Sequence, residues 1–140
     1  MIYLADANLI CEPTKLRASE KVCHWLEDHD SEIVIDAVVL AEICDGIAAL
    51  PEGRKKHDLE QWFERLRGSV TCLPWTDETA IAWAELHQDT RLRGFTVGVK
   101  DMMIAASAKL HGLTVATRNV SDFTRCGVPV VNPLSEACFL

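Results

Sequence analysis

Four acids, Asp6, Glu42, Asp101 and Asp122, stand where carboxylates could do chemistry. Asp6 ends the apolar run Ile2-Tyr3-Leu4-Ala5, at the carboxyl end of a strand; taken alone it reads first as a turn or cap residue. Glu42 follows Val38 and Val39 by one helical turn, so its carboxylate falls on an apolar face. A charge there must be paired, hydrogen-bonded or bound to a cation, a salt bridge from elsewhere being the structural alternative. Asp101 opens a helix whose same face carries Ile104, Ala105 and Ala108, where N-capping is the plain role and the helix dipole favours the ionised form. Asp122 lies in Thr117-Arg118-Asn119-Val120-Ser121-Asp122-Phe123, just past another strand, and alone would cap a helical turn.

Together the four acids say more than singly. Crowded carboxylates repel one another, and their pKa values rise unless a cation compensates. Hard divalent ions such as Mg²⁺ or Mn²⁺ suit all-oxygen ligands and keep part of their water shell. Such an ion can activate water and neutralise charge on a phosphodiester during in-line displacement. The reaction class this implies is phosphodiester hydrolysis without a covalent intermediate. The chain carries no GxSxG elbow, no GxxxxGK[ST] loop and no HExxH pair.

Strands and helices must alternate to bring these acids together. Strands are expected at 2–6, 33–35, 70–73, 113–117 and 128–131. Helices are expected at 8–12 (stopped or reset by Pro13), 18–28, 37–50 (with Asp36 as N-cap, ending at Pro51), 54–67, 77–91 and 98–111, the last closed by Gly112. The 54–67 helix carries the stripe Leu59, Trp62, Phe63 and Leu66, which could bury against the core or against a second subunit. Alternation of this kind predicts an α/β fold with a parallel sheet covered on both faces. Ligands then sit beyond the carboxyl ends of the strands, where Asp6 and Asp122 already are.

The 140 residues fit a single domain spanning 1–140, and no repeat or linker divides them. No apolar run approaches membrane-span length, and the first residues lack the basic start of a secretory signal, so a cytoplasmic protein is expected. The six cysteines (Cys11, Cys23, Cys44, Cys72, Cys126, Cys138) show no CxxC spacing and read as small reduced hydrophobes. The five histidines form no constellation, and the four tryptophans read as core or interface. The net charge of −7 is awkward for a nucleic-acid binder unless the acids gather in a cation-binding pocket. It also favours a partner that brings Arg or Lys to that pocket.

The ordered set Asp6-Ala7-Asn8, Ala41-Glu42-Ile43 with Gly46 to Pro51, Asp101 with Ile104-Ala105-Ala106, Thr117-Arg118-Asn119 with Asp122-Phe123, and the tail Gly127 to Pro133 resembles the VapC/FitB-like toxins of type II toxin–antitoxin systems. The resemblance covers essentially the whole chain. It implies a PIN-domain fold, a parallel sheet in the order 3-2-1-4-5 with helices on both faces, and an Mg²⁺- or Mn²⁺-dependent endoribonuclease. It further implies a homodimer and a small cognate antitoxin. The antitoxin's C-terminal segment would block the site, and operator DNA would be bound only through the antitoxin. By position, Asp6, Glu42 and Asp101 would bind the metal, Asn8 would orient Asp6, and Thr117 and Arg118 would shape the pocket. Two departures stand out. Ala7 replaces a Thr common in the motif, and Asn119 stands where some relatives carry Asp, so that either Asn119 or Asp122 completes the site.

Arg91, Arg93 and Lys100, around the Gly94–Gly98 loop, are candidates for guiding an RNA backbone, while Arg54–Lys56 reads as a solvated surface. Two other functions stay open at the level of sequence. A DNA-directed nuclease would build a related acidic pocket, but the chain lacks extra helices to grip a duplex. A binding module would sequester RNA or a regulator without cutting it.

Overall fold

The computed structural model describes residues 1–135 and 137–139, the last three by backbone alone. The first strand, β1 (Tyr3–Ala5), is a short apolar run, and Asp6 stops it by capping α1 (Ala7–Ile10). Pro13 resets the chain rather than only stopping it, entering the first turn of a 3-10 helix at Glu12–Thr14. Next come α2 (Glu20–Asp28), capped by Ser19, and β2 (Ile33–Asp36), buried at every position. Asp36 then accepts the Val39 amide at 2.8 Å and starts α3 (Ala37–Ala48), as its place in the sequence predicts.

The chain continues through α4 (Arg54–Ser69), β3 (Thr71–Leu73), α5 (Asp77–Leu92), α6 (Val99–His111), β4 (Thr114–Ala116), α7 (Val120–Arg125) and β5 (Val130–Asn132). Gly112 ends α6 in the left-handed region, at φ 66°, which costs a glycine nothing. The sheet order is β3-β2-β1-β4-β5, all parallel, as expected. The expectation that the last strand lies at 128–131 misses one element: β6 (Ala137–Phe139) adds an antiparallel edge beside β5.

The core lies mainly between the sheet and α3, α5 and α6, built on Leu4, Ile35, Val39, Leu86, Ile104 and Val115. A second cluster, with Leu9, Val22, Leu26 and Ile33, fills the opposite face under α2. Ala105, Ala106 and Ala108 let α6 settle close against the sheet, so the start of α6 and Asp101 come near the strand ends. Phe123, 0% exposed, pins the short α7 beneath Asp122.

Trp25 packs edge-on to Tyr3 and stacks on His29, while Trp62 and Trp83 pack against the core. The cysteines correct one expectation. Cys126 is buried, but Cys44 and Cys72 are exposed, because each falls on the solvent side of its element; the Cys138 side chain lies outside the described residues. No helix among the described residues is long and apolar enough to cross a membrane.

Phe123→Ala is expected to cost about 3–5 kcal/mol through the cavity it leaves, read as a lower midpoint in equilibrium urea unfolding.

Candidate acidic site at the strand ends

The strand order reverses beside β1, where β2 and β4 pair with its two edges. Such a switch point opens a crevice at the carboxyl ends of the strands. Asp6 emerges there with its amide bonded to the Ala116 carbonyl at 3.1 Å, so Asp6 and Thr117 leave the sheet side by side. The Thr117 hydroxyl, itself fully buried, donates to Asp6 Oδ2, and the Leu9 amide donates to Oδ1 at 2.9 Å. Asp6 is 8% exposed, and burial pushes its carboxyl up from the ordinary range. The bonds from Thr117 and Leu9, with the charges of Arg118 and Lys15, counter that only in part.

Asn119 ties in two more acids. Its amide donates to Thr117 Oγ1 at 2.9 Å, while its Nδ2 donates to Asp101 Oδ2 at 2.8 Å and to Asp122 Oδ2 at 3.0 Å. Asp101 sits in the first turn of α6 and Asp122 in the first turn of α7, so two helix N-termini present their acids to one amide. Desolvation raises the Asp101 carboxyl, and the charges of Asp122 and Asp6 raise it further.

Glu42 faces the same field from α3. Its carboxyl is raised by desolvation, lowered by Lys100, and raised again by Asp101, Asp6 and Asp36. It is half-buried rather than enclosed, because the inward stripe of α3 runs through Val39 and Ile43. Glu42 stands on a ridge between two grooves. A larger one, about 790 Å³, runs past Asn8, Cys11, Ile43, Ile47 and Trp62. A smaller one, about 470 Å³, is walled by Val38, Ala41, Trp75, Met103 and Lys100.

Two candidates, Asn8 and Arg93, behave differently from their sequence-derived roles. Asn8 is exposed and makes no hydrogen bond to Asp6 among the described residues; capping uses the Leu9 amide, and the α1 turn directs Asn8 toward the larger groove. Arg93 is committed to Asp89 at 2.9 Å, to the Arg125 carbonyl at 2.7 Å and to the face of Phe95. Arg91 is exposed on the last turn of α5, and Lys100 is the cation that acts on Glu42.

Two buried acids escaped the sequence reading as site-related groups. Glu12, 2% exposed, pairs with Lys15 at 2.7 Å and with Arg118 at 2.8 Å, and accepts the Ser19 amide at 2.9 Å. Burial would raise its carboxyl, but these partners outweigh it and hold the group down at about 2. The only sequence signal was a Glu just before Pro13, which resembles an ordinary helix start. Asp36 is 1% exposed and its carboxyl is raised by burial; the Val39 amide and the Ser107 hydroxyl offset this in part, and Oδ2 makes no hydrogen bond of good geometry.

Among the described residues, no three metal-ligating side chains already converge to coordination distance. The donor set nevertheless suits a hard cation. Asp6, Glu42 and Asp101 offer only carboxylate oxygens; all three are raised by burial, and Glu42 and Asp101 also by the charge of neighbouring acids, Asp6 among them. A carboxyl raised in the folded state lends its stability below the unfolded value of 3.8 and loses it as pH climbs through the folded value. Asp101→Asn should therefore melt higher than the unsubstituted protein at about pH 7 without cations, the gap closing toward about pH 4. Mn²⁺ at about 100 times its Kd should stabilise the unsubstituted protein by about 2.7 kcal/mol and Asp101→Asn far less, as read in thermal melts.

The comparison with known proteins is specific. Residues 3–127 match the PIN domain. Toxin FitB of Neisseria gonorrhoeae is 35% identical over 139 residues, covering 94% of this chain and 98% of the relative. A VapC ribonuclease of Sinorhizobium fredii is 32% identical over 144 residues, covering 98% of this chain and 100% of the relative. The solved structure of FitAB bound to a DNA fragment superposes with a TM-score of 0.86 at 32% identity, over 94% of this chain and 95% of that chain. With the parallel strand order and the acids at the switch point, this likeness along nearly the full length means that the chain belongs to the PIN-domain family, in the branch that holds the FitB and VapC toxins.

Proposed function

We propose that this chain is the toxin of a type II toxin–antitoxin pair, a single domain spanning residues 1–140 that cleaves RNA as an Mg²⁺- or Mn²⁺-dependent endoribonuclease in the cytoplasm. The observation that carries this reading is the joining of Asp6, Asp101 and Asp122 through Thr117 and Asn119 at the switch point of the sheet. Relatives that share this chain's full length and bear the name ribonuclease support it.

In this reading Asp6, Glu42 and Asp101 hold the ion, and Asp122 completes the set. When bound, the ion supplies an activated water and neutralises charge on the phosphodiester. Thr117 and the Leu9 amide fix the Asp6 carboxylate in one orientation, so it does not have to reorganise as charge develops. In this reading Asn119 takes the place of an Asp at position 119 by bridging Asp101 and Asp122 through its amide against their mutual repulsion, instead of adding an acid. Lys100, beside Glu42, and the exposed Arg91 are the cations we assign to the RNA backbone, with Arg93 shaping the loop between them.

The larger groove supports the antitoxin reading. Its apolar wall, with Ile43, Ile47 and Trp62, leads to Asn8 and Glu42, a shape that suits an apolar C-terminal segment delivering a basic residue to the acids. DNA would then be bound through the antitoxin, in keeping with a relative solved as FitAB on DNA. A second copy of the chain completes the assembly as a homodimer.

Purified, antitoxin-free protein should cut a mixed cellular RNA pool in Mg²⁺ or Mn²⁺, stop in EDTA, and leave matched DNA intact. Asp6→Asn and Asp101→Asn should each lower the rate on the order of 100-fold or more, the scale of removing one preorganised group from an active site. Full metal-dependent cleavage by both variants would overturn the assignment, and cleavage of DNA in preference to RNA would move it to the DNA-directed class.

A further inference from the structure

The tripeptide Thr117-Arg118-Asn119 leaves β4 and grips four different acids. Thr117 holds Asp6, Asn119 holds Asp101 and Asp122, and Arg118 between them holds Glu12. Glu12 is no member of the acidic pocket. It lies behind α1, 2% exposed, with its charge spent on Lys15, Arg118 and the Ser19 amide. Arg118 is its far-end partner, 106 positions along the chain and about a third exposed (34%).

A buried ion pair is a poor device for stability alone. Desolvating the Glu12 carboxylate consumes much of the attraction, while Arg118 keeps about a third of its side chain (34%) in solvent. What this contact supplies is a fixed geometry, because the buried Glu12 carboxylate is costly to leave short of its cations and so holds Arg118 in place. Here the geometry it fixes is the backbone between the two residues that orient the acids. If position 118 were free to shift, the Thr117 hydroxyl and the Asn119 amide would move with it, being its immediate chain neighbours.

We propose that Glu12 is a positioning residue for the acidic centre, acting through Arg118 to lock Thr117 and Asn119 onto Asp6, Asp101 and Asp122. The proposal rests on the nuclease reading above for its link to cleavage, but its link to cation binding does not require that RNA be cut. Groups that orient metal ligands from outside the coordination sphere typically matter about 10- to 100-fold in affinity or rate.

The test compares Glu12→Gln, Arg118→Gln and the double variant by Mn²⁺ calorimetry, by kcat and KM on RNA, and by thermal melting. Each single substitution should weaken Mn²⁺ binding and lower kcat by about 10-fold with little change in KM, and the double should be no worse than the poorer single. Losses that multiply in the double would show two independent residues and overturn the proposal. So would wild-type Mn²⁺ affinity and kcat accompanied only by a lower melting temperature. Should Glu12→Gln fail to fold, Arg118→Gln decides alone, and unchanged Mn²⁺ affinity and kcat in it overturn the proposal. If the unsubstituted protein binds Mn²⁺ but cuts no RNA, the nuclease reading fails, while the Mn²⁺ affinities of the variants still decide the role of Glu12.

Discussion

Pairing of β1 with β4 is the contact on which the site depends. It sets Ala5 opposite Ala116, so that Asp6 and Thr117 leave the sheet as neighbours although 111 positions separate them. A slip of one residue in that register would turn Thr117 to the other face and strand the Asp6 carboxylate without its hydroxyl. The parallel order supplies the crevice, the small residues of α6 allow its start to approach, and Phe123 holds α7 in place. Backbone pairing and apolar packing of this kind are ordinary when taken alone. Their joint result is a set of carboxylates at one end of the sheet.

Two opposite solutions to the burial of a carboxylate sit side by side in this chain. Glu12 is given two cations and an amide, and its carboxyl is held at about 2. Asp6, Glu42 and Asp101 are given hydroxyl, amide and distant cationic help, and stay raised. The first arrangement is complete without a ligand and so does structural work. The second leaves negative charge that an incoming cation would relieve, which places the cost of the acidic pocket on folding and the return on binding. A net charge of −7 sharpens that difference, since the rest of the surface offers few compensating cations.

The apolar grooves belong to the same logic. The α4 helix has no fully buried residue, and Trp62, Phe63 and Leu66 are only partly covered by the core. Its stripe of Leu59, Trp62, Phe63 and Leu66 therefore serves the core on one side and a groove on the other. Glu42 stands where the two grooves meet, so any apolar segment laid in either one arrives at an acid.

The alternation of strands and helices, the caps at Asp36 and Gly112 and the candidacy of Asp6, Glu42, Asp101 and Asp122 were legible in the sequence, because periodicity, cap chemistry and misplaced charge are local signals. The exposure of Glu42 was not, since it depends on which side of α3 the sheet takes, and a shift of one residue moves the inward stripe to Val39 and Ile43. Nor was the antiparallel β6, whose pairing partner is set by the sheet edge and not by its own residues. Asn8 and Arg93 were read from position, yet their side chains go where the α1 turn and the Asp89–Arg125 neighbourhood send them. Glu12 and Arg118 mark the limit most clearly. Nothing local tells a buried, doubly paired Glu from one beginning a helix, because its partner lies across the sheet and only the β1–β4 register brings the two together.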